Sequence, residues 1–285
     1  MKKGTKQLSG QFIIKVSRLF KEKKWEIEDS GEAGESLFNR YCHRMLDIGE
    51  NKKRELMLEL TERYLWIPYE EYEEYLINTL NLLIKNNVID ENKKIYVMPL
   101  VAPNDIGKVK SSMLLSYLFN SVKLRHNKNL SKYKFQLEHE YNNLGKKLNE
   151  KEARLLLVDD FIGTGETAEK CILHIQKQDI TLDKIIVLSL VAQEQGIKYL
   201  EKYNIPIVSS AIINKGISDH YVGEELNEKI KLMKDIENRM SIKKEFRFGY
   251  NGSEALVTMC RTPNNTFPLF WSEEGNMKSA PFPRD

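Results

Sequence analysis

An α/β fold with a mostly parallel sheet, preceded by a helical extension, is predicted by three observations. Leu155, Leu156, Leu157 and Val158 form an unbroken aliphatic run that ends in two acids, Asp159 and Asp160. A parallel strand covered by helices on both faces reads as such a run, whereas a strand with one wet face alternates. Downstream, short aliphatic runs alternate with helix-length amphipathic stretches, the order that gives right-handed βαβ crossovers. Upstream, apolar side chains recur at helical spacing through about the first ninety residues. The reading is a helical extension or cap over residues 1–90 and an α/β domain over residues 91–285, closing with a long helix and an aromatic tail.

In the extension, Leu56, Leu60 and Tyr64 predict one helix, and Tyr72, Leu76, Leu80 and Leu83 a second. Tyr64, Trp66, Tyr69, Tyr72 and Tyr75 could form a stacking platform, but aromatics on an amphipathic helix more often fill a core or an interface. The sheet begins with a strand at residues 95–98 and a loop at 99–110, followed by a helix carrying Leu114, Tyr117, Leu118 and Val122 on one side. That loop holds Asp105, Gly107 and Lys108, and Ser111 and Ser112 open the helix after it. A glycine for close approach, an ammonium and two hydroxyls suit an anion, and a plain capping turn explains them equally well.

Residues 127–154 are polar and weakly periodic, and Leu130, Tyr133, Leu137 and Leu144 are spaced so that part of the stretch could be helical. The aliphatic strand follows, then a helix with Ala168, Cys171, Ile172 and Ile175 inward. Further along come a strand at 185–188, a helix at 193–203 and a strand at 207–213. Past Asp219, the stripe Val222, Leu226, Ile230, Met233, Ile236 and Met240 predicts a long helix packed on the core or on another subunit of a homo-oligomer. A strand at 255–259 leads into the tail, residues 261–271, where prolines and asparagines precede Phe267, Phe270 and Trp271. The tail either docks on the core by its aromatics or covers the base side of a nucleotide pocket.

The chemistry concentrates at residues 155–167. Polar residues that follow a buried parallel strand lie at the carboxyl edge of the sheet, where open α/β folds bind ligands, so Asp159 and Asp160 point into a crevice. Gly163, Thr164, Gly165 and Thr167 allow backbone N–H groups to converge on an anion at the start of the next helix, with two hydroxyls as further donors. Carboxylates for sugar hydroxyls thus stand beside a nest for a phosphate. Glu166 is the anomaly: the helix dipole favours it in a first turn, yet it would repel a bound phosphate unless it points outward or reaches a cation.

The run LLLVDDFIGTGET resembles the phosphoribosyl pyrophosphate (PRPP) signature of type I phosphoribosyltransferases. The resemblance implies that family's α/β sheet, with Asp159 and Asp160 on the ribose hydroxyls and Gly163, Thr164, Gly165, Glu166 and Thr167 around the 5′-phosphate. It implies a pyrophosphate loop, assigned to Asp105, Gly107, Lys108 and Ser111, a mobile flap near residues 127–154, and a hood formed by part of the extension. Mg²⁺ would arrive with the substrate, held largely by its oxygens and water. Family members acting on hypoxanthine or guanine usually carry Asp where this chain has Gly163, which speaks against ordinary salvage of those bases. Together with PNNTFPLFW in the tail, the signature also resembles phosphoribosyltransferase-like proteins of bacterial conflict and retron-type antiphage systems.

Composition bounds the remaining possibilities. A chain of 285 residues buries a full α/β core with room for a second element. It has no apolar run of membrane-spanning length and no signal-peptide core, so the expected location is cytoplasmic with no membrane partner. Cys42, Cys171 and Cys260 show neither disulfide nor zinc spacing and read as ordinary buried or half-buried thiols. The net charge of +3 points to no partner by itself. Residues 107–135, however, hold Lys108, Lys110, Lys123, Arg125, Lys128, Lys132 and Lys134 without an acid, which reads equally as a field able to draw in PRPP, a nucleic acid or an acidic protein and as a solvated basic loop. The helical extension is a second candidate surface for a protein partner. Two functions remain open: a Mg²⁺-dependent ribosyl-transferring or nucleotide-cleaving enzyme, and a non-catalytic PRPP or nucleotide sensor that binds nucleic acid or protein.

Overall fold

The periodicity of the N-terminal part forms three helices, α1 (Gly10–Lys23), α2 (Leu37–Ile48) and α3 (Asn51–Glu62), before a two-residue strand β1 (Leu65–Trp66). The computed structural model describes residues 7–27, 36–141, 144–149 and 153–284. Next come α4 (Tyr72–Lys85), β2 (Lys94–Pro99), α5 (Ser111–Tyr117), α6 (Val122–Arg125), β3 (Lys134–Leu137) and α7 (Leu144–Leu148). Then β4 (Ala153–Ile162), α8 (Glu166–Gln176), β5 (Ile185–Gln193), α9 (Glu194–Leu200) and β6 (Ile207–Ile213) alternate regularly. The chain ends with α10 (Gly223–Glu237), β7 (Val257–Thr258) and α11 (Pro268–Trp271).

Two compact units result, one made of residues 1–66 and 215–285, the other of residues 67–214. These units differ from the expected partition at residue 90. α4 packs on β5 and β6, and its Tyr72, Leu76, Leu80 and Leu83 are fully buried. Helical spacing shows that a helix has an apolar face but not which partner covers it. In the same way α10 and the tail join the N-terminal helices, because Met233, Ile236, Met240, Phe267 and Phe270 share one core with Phe20, Tyr41, Leu56 and Tyr64. Val222 opens the predicted stripe but is exposed.

The unit of residues 67–214 is built on a five-stranded sheet of order β3-β2-β4-β5-β6, parallel throughout. β5 is buried along its whole length, as its aliphatic sequence requires. α7, α8 and α9 cover one face through Leu144, Leu148, Cys171, Ile172, Ile175 and Leu200. α4 and α5 pack against the sheet as well, α4 on β5 and β6, α5 on β2 and β4. β3 was not foreseen, since the edge strand Lys134–Leu137 alternates exposed and half-buried residues within a polar stretch read as partly helical. The predicted helix after residue 110 breaks into α5, a 3-10 turn and α6, leaving Tyr117 and Val122 exposed. The predicted strand at 255–259 shortens to β7, paired in parallel with β1.

Candidate functional site

Register creates the crevice. β2 pairs with β4 only as far as Pro99 opposite Val158, while β4 and β5 continue to Ile162 opposite Ala192. The last residues of β4 therefore project beyond β2 at the carboxyl edge, and β2 and β4 flank the point where strand order reverses, the position at which open α/β sheets bind ligands. The acids lie inside β4 rather than after it, because β5 continues to pair with the strand through them.

The two carboxylates have different surroundings. Asp160 is 5% exposed, and its two oxygens accept hydrogen bonds from Tyr72 of α4 (2.8 Å) and Ser111 of α5 (2.7 Å). Asp159 is half-buried, and its Oδ1 accepts from the main-chain N–H of Asp160 (2.9 Å). Burial, followed by the neighbouring Asp160 charge, pushes Asp159 well above the ordinary carboxylate range, with Lys110 opposing. An ionised Asp159 is thus short of compensation, a deficit that sugar hydroxyls or a hydrated cation would relieve.

After β4, Gly163, Thr164 and Gly165 form a bend, and Gly165 takes φ 85° as the N-cap of α8. Only glycine adopts that left-handed conformation without strain. The first-turn amides of an α-helix have no carbonyl partner within the helix, so the start of α8 offers donors to an anion. Close packing supports the loop from behind, since a Cβ on Gly196 of α9 would fall 2.2 Å from the Gly163 carbonyl oxygen. Glu166 opens α8 half-buried, and Thr167 is exposed. Glu169, one turn on, is held at about 2 by Lys202 together with the Tyr199 and Tyr203 hydroxyls.

The loop after β2 is tied to the same region. Tyr141 donates to the Val101 carbonyl (2.6 Å) and lies 3.0 Å from the Cys171 sulfur of α8. Burial lifts the Cys171 thiol to about 11, so it serves as packing rather than as a nucleophile. Further along, Asp105 accepts from Lys108 (2.7 Å) and pairs with Lys110 (2.8 Å), and Gly107 turns the chain at φ 87°. Those two lysines hold Asp105 at about 2. Of the four residues assigned to a pyrophosphate loop, Ser111 reaches the acid pair, whereas Asp105 and Lys108 bond to each other. An arriving phosphate would compete with Asp105 for that ammonium.

Tyr72, Gly196 and Lys110 belong to this arrangement and were not named as site residues from sequence. A glycine within a predicted helix was the available signal for Gly196. Helical spacing marked Tyr72 as a core or interface residue, but nothing local pointed to its partner 88 residues away. Of the two readings of the tail, the structure matches docking by its aromatics: Phe267 and Phe270 are fully buried in the core of their own unit, and Trp271 donates through Nε1 to the Thr266 carbonyl (2.7 Å), so these rings anchor the tail and do not present faces to a base. Cys260 is exposed rather than half-buried. Among the described residues, no group of three or more His, Cys, Asp or Glu is placed to hold a metal, and no helix is long and apolar enough to cross a membrane.

The fold is similar to solved phosphoribosyltransferases at low identity. Orotate phosphoribosyltransferase from Aeropyrum pernix is 16% identical, with a TM-score of 0.32, covering 50% of this chain and 71% of that one. Hypoxanthine-guanine phosphoribosyltransferase from Schistosoma mansoni is 17% identical, with a TM-score of 0.35, covering 53% and 68%. A hypothetical protein from Neisseria gonorrhoeae with bound ppGpp is 13% identical, with a TM-score of 0.34, covering 60% and 97%. No curated protein matches the chain. The PRTase-CE family model matches residues 44–284, which span the sheet, the acid pair and the tail, and the chain belongs to the PRTase-CE family.

Proposed function

We propose that the cradle at the end of β4 binds PRPP, or the 5′-phosphate of a nucleotide, and supports ribosyl transfer in the presence of Mg²⁺. The observation that carries this reading is the placement of Asp159 and Asp160 at the switch point, directly before a glycine bend that opens α8. Asp159 and Asp160 would orient the ribose hydroxyls, and the residues from Gly163 to Thr167 would hold the 5′-phosphate. As the C1′–O bond to pyrophosphate breaks, its electron pair leaves with pyrophosphate while a nitrogen nucleophile bonds to C1′. The acid pair favours the positive charge that develops at C1′.

Mg²⁺ suits the site as a companion of the ligand, with most of its oxygens coming from pyrophosphate and water. Asp159, short of compensation, is the carboxylate fitted to reach such an ion. Bound there, the metal would neutralise charge on the departing pyrophosphate. Lys108 and Lys110 would turn from Asp105 toward the same group. Within this class, the role of an effector in a conflict or retron-type antiphage system rests on the sequence resemblance of the signature and the tail.

A second reading, a non-catalytic PRPP or nucleotide sensor, is favoured by one observation: Tyr72 and Ser111 already satisfy both oxygens of Asp160. Incubating the protein with PRPP, Mg²⁺ and a panel of nucleobases and nucleotides separates the two. Release of pyrophosphate or free base that disappears in Asp159→Asn supports the enzyme. Ligand recovered bound and unconsumed supports the sensor, and neither binding nor turnover refutes both.

A further inference from the structure

The unit of residues 1–66 and 215–285 carries a cavity of about 500 Å³ that has no part in the cradle at β4. Small-molecule sites typically run from about 300 to 1,000 Å³. Among the described residues, its lining combines Arg40, Arg261 and Arg284 with an apolar wall that includes Trp66, Met259 and Phe282, and includes no acidic residue. Arginines recognise phosphate through their N–H donors, and an aromatic face such as that of Trp66 takes a planar ring.

The lining is held in place from behind. Arg40 donates through Nε to the Ala280 carbonyl (2.7 Å) and pairs with Glu273. Arg261 donates through Nε to the Arg284 carbonyl (3.0 Å), and the Arg284 guanidinium sits 5.9 Å from the Trp271 ring centre. Trp66 meets Phe282 edge-on at 5.4 Å, Phe282 stacks on Tyr64 at 5.0 Å, and Thr262 donates to the Phe282 carbonyl (3.0 Å). Guanidinium planes and rings fixed in this way lose little freedom when a ligand arrives.

We infer that this cavity is a second ligand site, taking a planar aromatic ring that carries a phosphate, the chemistry of a nucleoside 5′-monophosphate. The ring lies against Trp66 and Phe282, and the phosphate meets the arginines. The inference stands independently of ligand binding at Asp159 and Asp160. The exposed thiol of Cys260 lines the same cavity and gives a direct readout, because Cys171 is buried and Cys42 half-buried.

Calorimetric titration of the full chain with AMP and GMP, beside ribose 5-phosphate, tests the proposal. Measured in an Asp160→Asn background, which weakens the cradle at β4, AMP binding is expected to weaken at least tenfold further when Arg261→Ala/Arg284→Ala is added, and ribose 5-phosphate is expected to bind at least tenfold more weakly than AMP. In the wild-type chain, AMP is expected to slow alkylation of Cys260 by N-ethylmaleimide at least threefold, a measurement that does not depend on the variants folding. No nucleotide binding, equal affinity for ribose 5-phosphate, no effect of the arginine changes, loss of binding in Asp160→Asn, or an unchanged rate at Cys260 would each overturn it.

Discussion

At Asp160 the fold commits a buried carboxylate to two hydroxyl donors, one from each of two helices. Removing one donor leaves a buried acceptor partly unsatisfied, which costs about 1–3 kcal/mol. Tyr72→Phe should therefore lower stability by that amount in denaturant unfolding and weaken PRPP binding by releasing the carboxylate from its position. Glu237 makes a second test at this scale. It is fully buried, and its oxygens accept from the Phe248 N–H at 2.9 and 3.2 Å. Burial raises it from 4.5 to about 7, with Glu254 adding and Arg247 and the Phe248 N–H opposing. The folded protein therefore holds a proton that the unfolded chain releases, so this stability is full below about 4.5 and is lost as pH rises through about 7. At about 1.4 kcal/mol per pH unit the loss is about 3 kcal/mol. Unfolding curves measured from pH 5 to pH 8 should show stability falling, and Glu237→Gln should flatten that slope.

Among the elements, α9 and α8 together shape the glycine bend proposed to hold a phosphate. Gly196 lets α9 come within van der Waals distance of the Gly163 carbonyl, and Gly196→Ala would place a carbon 2.2 Å from that oxygen. Relief requires the loop or the helix to shift, at about 1–3 kcal/mol as in an overpacked core. PRPP affinity should drop more than stability alone explains, read by calorimetry on the folded variant. Tyr141→Phe should likewise loosen the loop after β2 from α8 and weaken pyrophosphate binding, with the loop amides exchanging hydrogen faster. The elements that carry the site were legible because their patterns are local: an aliphatic run for β4, inward residues at helical spacing for α8, a short apolar run for β5. β3 was not, since a four-residue edge strand with one wet face owes its form to pairing with β2, which no local pattern states.

Across the whole molecule, contacts distant in sequence decide how the chain is shared between its two units. The helical reading of the first ninety residues identified α3 and α4 but not that α4 covers a sheet while α1, α2 and α3 build a core with α10 and the tail. Amphipathic spacing specifies a face, and its partner is fixed only by the assembled shape. The position of the acid pair and its glycine bend at the sheet's carboxyl edge was legible in the sequence, whereas the packing of Tyr72 and Gly196 against them was not, because a supporting role arises from packing alone. The end of β4 is proposed to be a sugar-phosphate cradle. Calorimetric titration of the full chain with PRPP and Mg²⁺ tests it most directly, alongside Asp159→Asn and Asp160→Asn. Wild-type binding should weaken at least tenfold in each variant, whereas no binding, or binding unchanged in both variants, would rule out the cradle.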